Sequence, residues 1–490
     1  FRFLIAFCKL GLNMSIEKSP TFLLHQKFPF EPTPSQRVLF QKLGDFIQNK
    51  DEWAALTFII KGYAGTGKTT VISTLIKILS QFGYRSQLIA PTGRAAKVMA
   101  NYAKKKASTI HKKIYRQVSN AHTGNLSFQR MNNYATNTIY IVDESSMISD
   151  EAEFGANSLL TDLIEYIFTN PENGHNGNKV IFVGDTAQLP PVGTNLSPAL
   201  SRDYIKSNFH MEVEEHELTD VMRQEMHSGI LYNATQLRNL LSESSNIIQF
   251  NTKSFKDFFK MSSEKMEDGM NYAYRKFGKE NTIVLTRSNK NAVLYNRYIR
   301  QQILYQEDEI ATGDLLMIVR NNYYWLDEDS PAGFLANGDF VEILKIKKEE
   351  EMHGFRFLNV ALRLLDYDEH PEVEAKILLD TLYSPESSMG KDQSKKLYDA
   401  VCEDYAHIGK KKDRNEAIRK DPYLNALQVK FAYALTCHKS QGGQWPVVFV
   451  DQGFLKDEQI DLEFIRWVYT AITRATHELF LVNFNDKFYN

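Results

Sequence analysis

From about residue 54, the chain alternates short apolar runs with longer stretches of helical periodicity. Runs at 56–60, 87–90, 138–142 and 179–183, and later at 282–285, 447–450 and 479–482, are short and β-rich, which predicts strands. After Lys68, the residues Val71, Ile72, Leu75, Ile76 and Leu79 recur at helical spacing, an apolar stripe suited to packing on a sheet. Strands alternating with such helices predict an α/β fold with mainly parallel sheets.

Two stretches break the rhythm. Residues 113–135 are polar, and Thr123-Gly124-Asn125 separates Ile114-Tyr115 from Leu126-Phe128, which predicts a short β-hairpin set into the first α/β unit. Residues 311–385 carry closely spaced strand runs at 315–319, 340–344, 355–364 and 375–379, with a turn signal at Asn337-Gly338-Asp339; they predict a small β-barrel set into the second unit. Residues 391–420 are rich in charge and poor in apolar positions, reading as an exposed helical arm, and Lys410-Lys411-Lys412 reads first as a solvated face. The expected organisation is an N-terminal extension at 1–27 and a first α/β domain at 28–215 that holds the hairpin. A second α/β domain is built from 216–310 and 426–490, with the barrel and arm inserted at 311–425.

Composition adds little. Apolar residues make up 43% and charged residues 24% of 490, the profile of a globular chain long enough for several cores. The 58 basic residues nearly match the 60 acidic ones, so a nucleic-acid surface would have to be local. Cys8, Cys402 and Cys437 are far apart and odd in number, which argues against a disulfide framework and for a reducing, cytoplasmic setting. Cys437 adjoins His438, but no second Cys/His cluster stands at zinc-ligand spacing. The apolar run at 3–8 is too short to span a membrane, and Met14-Ser15-Ile16-Glu17 reads as a cytosolic start preceded by an extension.

The chemistry is concentrated in contiguous motifs. Gly62-Tyr63-Ala64-Gly65-Thr66-Gly67-Lys68-Thr69 matches G-x-x-x-x-G-K-[ST] between a predicted strand and a predicted helix. Its glycines let backbone N–H groups turn inward around phosphates, and the helix N-terminus adds a favourable dipole. Lys68 would reach the β- and γ-phosphates of ATP, and the Thr69 hydroxyl would ligate Mg²⁺. The nucleotide-binding set is thus Gly62, Ala64, Gly65, Thr66, Gly67, Lys68, Thr69 and Thr70. Downstream, the apolar run 139–142 ends in Asp143-Glu144, where Asp143 would hold Mg²⁺ and Glu144 would orient or deprotonate the attacking water.

Seven motifs in order resemble the superfamily 1 helicases, specifically the RecD-like and Dda-like branch. Asp143-Glu144-Ser145-Ser146-Met147 resembles D-E-x-S-M, and the run from Gly184 to Gly193 resembles G-D-x-x-Q-L-P-P-V-G. The segment Ala90 to Ala96 is similar to A-P-T-G-R-A-A, and Thr109-Ile110-His111 to the T-I-H element. Leu218 to Gln224 resembles L-x-x-V-x-R-Q, while the runs from Ala434 to Gly442 and Val468 to Ala475 resemble motifs V and VI.

The resemblance implies two RecA-like domains, with the barrel and a duplex-splitting pin, in a motor that moves 5′ to 3′ on single-stranded DNA and acts at single/double-strand junctions as a monomer. It implies that Gln36 reads the adenine edge, that Gln188 senses the γ-phosphate or its water, and that Arg223 and Arg474 act as arginine fingers. Gln441 and Gly442 would join the nucleotide site, while Pro91, Thr92, Thr109, His111, Pro191, Thr436 and His438 would lie along the strand. Gly442-Gly443-Gln444-Trp445 departs from the family's motif V tail, which leaves ribose contacts there open. No nuclease motif is apparent, so the expectation is unwinding without cutting, in DNA repair, recombination or replication. The rival readings are a nucleic-acid-independent ATPase switch, a binding module with a decayed ATPase, and an RNA helicase of the same fold.

Overall fold

The computed structural model describes residues 19–51, 54–119, 126–151, 158–172, 176–220, 227–243, 246–326, 330, 334–367 and 370–489. Those within Phe1–Pro91, Ala95–Tyr115 and Arg130–His227 form one compact unit; those within Thr92–Arg94, Arg116–Gln129 and Ser228–Asn490 form a second.

The first unit is built on β1 (Leu56–Gly62), β2 (Arg85–Ala90), β3 (Ala107–Thr109), β6 (Thr138–Val142), β7 (Lys179–Gly184) and β8 (Glu212–Leu218). They form one sheet in the order β3-β2-β6-β7-β1-β8, every pair parallel. Both faces are covered, and strand alternation divides the apolar residues between two cores. Phe58, Ile60, Leu88, Ile141 and Val183 face one core together with the stripe of helix Lys68–Leu79. Ile59, Ile89, Tyr140, Val142 and Phe182 face the other, under helix Leu159–Phe168. The strand runs expected from the sequence here all lie inside observed strands.

β8 pairs with β1 from Leu56↔Glu212 to Gly62↔Leu218, so the boundary expected between 215 and 216 falls inside a strand. Its sequence, Glu-Val-Glu-Glu-His-Glu-Leu, lacks an apolar run because β8 is an edge strand with one side of its ladder open. Within the span read as a hairpin, β4 (Tyr115–Ser119) and β5 (Leu126–Arg130) pair as a two-stranded sheet. The turn signal at 123–125 lies outside the described residues.

In the second unit, β9 (Phe258–Met261), β10 (Thr282–Thr286), β16 (Ala434–Thr436), β17 (Trp445–Asp451) and β18 (Ala475–Val482) form a second parallel sheet in the order β16-β10-β17-β18-β9. Both sheets are RecA-like in this respect: parallel, with helices between successive strands. A closed barrel follows from β11 (Leu315–Ile318), β12 (Phe340–Met352), β13 (Phe355–Leu364), β14 (Glu372–Leu378) and β15 (Leu427–Phe431). The closing strand β15 pairs antiparallel with β11 and parallel with β14, and it lies beyond residue 425, where the insertion was expected to end.

The charged arm is two helices, Lys391–Asp404 and Lys411–Arg419, and it is not free of the barrel: Leu397 and Val401 are buried with Phe355, Phe357 and Leu378. Lys410, Lys411 and Lys412 are exposed. Among the described residues, no helix is long and apolar enough to cross a membrane.

Candidate nucleotide-binding and catalytic site

In the first unit, chemistry collects at the C-terminal ends of the parallel strands, where an open α/β sheet leaves its crevice. The phosphate loop follows β1, Pro91 follows β2, Thr109 ends β3, Asp143 follows β6, and Asp185 to Gln188 follow β7. In the loop, Gly65 and Gly67 have φ of 75° and 81°, a left-handed geometry that turns successive N–H groups to one side. At Gly62 a Cβ would stand 2.9 Å from Thr66 Oγ1 and 3.2 Å from Leu218 Cβ, so only glycine fits that close approach. Lys68 starts the following helix, and its Nζ donates to the carbonyls of Gly62 (2.6 Å) and Tyr63 (2.9 Å), which hold it at the loop mouth. Thr69 is exposed; Ala64, Gly65 and Thr70 are partly so, and Thr66 is buried. The Tyr63 hydroxyl donates to Glu217 at 2.6 Å and also bonds Thr186, tying the loop to β8 and to the segment after β7.

Gln36 is fully buried, and its amide has two jobs. Oε1 accepts the Thr33 N–H at 3.0 Å, completing a capping box on helix Pro34–Gln48, while Nε2 donates to the Thr66 carbonyl at 3.0 Å. The helix end is thereby pinned to the phosphate loop.

Asp143 has both carboxylate oxygens engaged: Oδ2 accepts the Tyr102 hydroxyl at 2.6 Å, and Oδ1 accepts the Glu144 N–H at 2.9 Å. Burial pushes its carboxyl above the ordinary value, while these bonds and the nearby Lys68 ammonium pull it back. Glu144 has φ 51° and ψ 36°, a left-handed conformation that costs energy for a residue with a Cβ. Gln188 and Ser146 are buried, and among the described residues Gln188 Oε1 and Ser146 Oγ have no hydrogen-bond partner. Orphaned buried polar atoms are uncommon and need a reason. A glycine cradle, a lysine, a hydroxyl, a carboxylate and an unpaired amide oxygen together fit a nucleoside triphosphate with a divalent cation.

The residues expected along a strand divide by local role. Thr109 is buried, and its Oγ1 accepts the Lys112 N–H at 3.1 Å as the cap of helix Ile110–Ile114. Burial lowers the pKa of His111, whose ring lies 5.6 Å from that of Tyr115. Pro91, Thr92 and Pro191 are partly exposed, and Val192 beside Pro191 is 76% exposed.

In the second unit, Thr436 ends β16, and burial lowers the pKa of His438 in the short helix Cys437–Ser440. Gln441 is buried, and Gly442 has a φ of 74°. Burial pushes the Cys437 thiol up to about 12, so it is an inert, protonated core group. Arg474 is buried: Nε donates to the Thr470 carbonyl (3.1 Å), and the terminal nitrogens to the Gly443 carbonyl and the Thr473 hydroxyl (both 3.3 Å). Arg223 lies outside the described residues. Tyr102 was missed by sequence reading, because a lone tyrosine in a helix carries no motif.

Residues 50–245 match the AAA domain family, and residues 431–482 match the UvrD-like helicase C-terminal domain family. An uncharacterized protein of Acanthamoeba polyphaga mimivirus is 24% identical over 91% of this chain and 98% of its own length. The ATP-dependent DNA helicase dda of Enterobacteria phage T4 is 24% identical over 86% of this chain and 93% of its own. The ATP-dependent RecD2 DNA helicase of Deinococcus radiodurans is 30% identical, over 28% of this chain and 16% of its own length. Among solved structures, a Pif1 helicase described at forked double-stranded DNA is 17% identical, with a TM-score of 0.44 over 94% of both chains.

Proposed function

We propose that the chain is an ATP-dependent DNA helicase of superfamily 1, in the RecD- and Dda-like branch, a reading supported by its AAA and UvrD-like C-terminal matches and by its RecD2 and Dda relatives. It translocates 5′ to 3′ on single-stranded DNA and unwinds the duplex at a junction, working as a monomer. The observation that carries the reading is the strand-end site of the first unit, where Lys68, Thr69, Asp143, Glu144 and a Gln188 oxygen unpaired among the described residues follow the neighbouring strands β1, β6 and β7.

Thr69 and Asp143 would hold Mg²⁺, which supplies charge neutralisation at the β- and γ-phosphates when bound. The ammonium of Lys68 exchanges its two loop carbonyls for phosphate oxygens. Glu144 accepts the proton of the attacking water, and Gln188 Oε1, with no other partner among the described residues, accepts its second hydrogen. Gln36 contributes from behind, since its amide fixes the loop carbonyl of Thr66 while its remaining donor and acceptor capacity is left for a base edge. Gln441 and Gly442 would join the nucleotide-binding set, as their place in motif V suggests. Arg474, and Arg223 with it, would stabilise the charge that develops on the transferred phosphoryl group, for which Arg474 gives up its carbonyl partners.

Pro91, Thr92, Thr109, His111, Pro191, Thr436 and His438 are the proposed contacts to the strand. Because the Thr109 oxygen already caps a helix, this residue offers a phosphate only its hydroxyl hydrogen. Burial favours the neutral rings of His111 and His438, so they contribute N–H groups or stacking and not charge.

Duplexes carrying either a 5′ or a 3′ single-stranded tail test this reading. Unwinding of the 5′-tailed substrate with ATP is expected. Unwinding confined to 3′ tails would reverse the polarity, unwinding confined to RNA would change the substrate, and ATP turnover indifferent to any strand would leave only an ATPase.

A further inference from the structure

Tyr102 belongs to none of the motifs, yet it touches a carboxylate of the candidate site whose two oxygens are both bonded. It stands in the last turn of helix Gly93–Ala103, whose buried residues are Ala95, Ala96, Met99 and Ala103. Its hydroxyl donates to Asp143 Oδ2 at 2.6 Å. Its own carbonyl accepts the Ser73 hydroxyl at 3.2 Å, and Ser73 lies on the helix that Lys68 begins. The tyrosine is therefore fastened to the phosphate-loop helix at its backbone and to the end of β6 at its side chain.

A phenylalanine would fill the same space. The oxygen adds one thing, a directed bond to a carboxylate. With Glu144 N–H on Oδ1 and Tyr102 on Oδ2, the carboxylate plane of Asp143 has a single orientation. Each oxygen keeps a lone-pair direction for a cation or a water on that cation.

We propose that Tyr102 is a positioning residue for divalent-cation binding, holding Asp143 in the orientation that receives the metal. This rests on the reading of Asp143 as the metal-holding carboxylate. Partners of this outer kind govern affinity through orientation, and their loss typically weakens metal binding by about 10–100-fold.

Mn²⁺ binding by the full chain in the presence of ADP, followed by the electron paramagnetic resonance of free Mn²⁺, tests the proposal without turnover. Tyr102→Phe should weaken Mn²⁺ binding by about tenfold or more, while ADP binding in EDTA stays at the native value. Raising Mn²⁺ by the same factor should restore saturation, which a folding defect would not allow. Asp143→Asn serves as the reference. If it loses Mn²⁺ and Tyr102→Phe does not, the role of Tyr102 is overturned; if neither loses Mn²⁺, the assignment of Asp143 itself falls.

Discussion

In the six-stranded sheet, the segments after β1, β6 and β7 carry Lys68, Asp143 and Gln188 at strand ends, and Gln188 has a buried oxygen unpaired among the described residues. In the five-stranded sheet, Arg474 stands just before β18 with all three guanidinium nitrogens bonded to neighbouring backbone and hydroxyl groups. The two sheets share their parallel winding and differ in the state of their polar groups. The first holds an acceptor that no group among the described residues satisfies; the second holds a guanidinium with three of its five N–H groups already donated. A water can donate to Gln188 Oε1 without displacing anything, whereas every nitrogen of Arg474 already holds a partner. The difference teaches that a wound sheet alone assigns no chemistry; what a residue can do depends on what it is already bonded to.

The largest expected effect breaks the first side of the comparison. Lys68→Ala should abolish DNA-stimulated ATP hydrolysis while strand binding stays detectable, as measured by phosphate release and by anisotropy of a labelled oligonucleotide. Retained turnover would remove Lys68 from the site. Next, Arg474→Ala should lower turnover by about a thousandfold, the scale of an arginine finger, with nucleotide affinity measured alongside it. Native turnover would leave Arg474 as a purely structural donor to Thr470 and Gly443 and move the role elsewhere. The smallest effect sharpens the contrast: Gln188→Met removes an unsatisfied oxygen whose burial costs about 1–3 kcal/mol, so the melting temperature should hold or rise while hydrolysis falls by about a hundredfold, a loss comparable to deleting one preorganised hydrogen-bonding group. A fall in melting temperature would mean that Gln188 supports the fold.

In the two parallel sheets, the strands legible in the sequence were the interior ones. β1, β2, β6, β7, β10, β17 and β18 are flanked on both sides and buried on both faces along their apolar runs, which is why those runs are apolar. The four that escaped, β3, β8, β9 and β16, are the edges of the two sheets. Two are three residues long, and β8 is mostly acidic, because an edge needs neither length nor continuous burial. β15 escaped for another reason: it closes the barrel beside strands more than 45 residues earlier, and no local pattern encodes that partnership. At the site, contiguous motifs made Lys68, Thr69, Asp143, Glu144 and Gln188 readable. Tyr102 reaches Asp143 across 41 positions and was invisible until the chain was folded. The sequence also could not tell whether Thr109 contacts a strand or caps a helix, and its oxygen does cap one.

One stretch, from Leu427 to Thr436, seals two structures at once. Its first half, β15, completes the barrel against β11 and β14; two residues later, β16 joins the parallel sheet at β10. Between them, Tyr433 donates its hydroxyl to Asp314, next to the start of β11. During synthesis neither the barrel nor that sheet edge can be finished until this decapeptide has left the ribosome, more than a hundred residues after β11. A nascent chain stopped short of it would leave the barrel open at β11 and β14 and β10 without its β16 neighbour, and the same ten codons supply all three pairings.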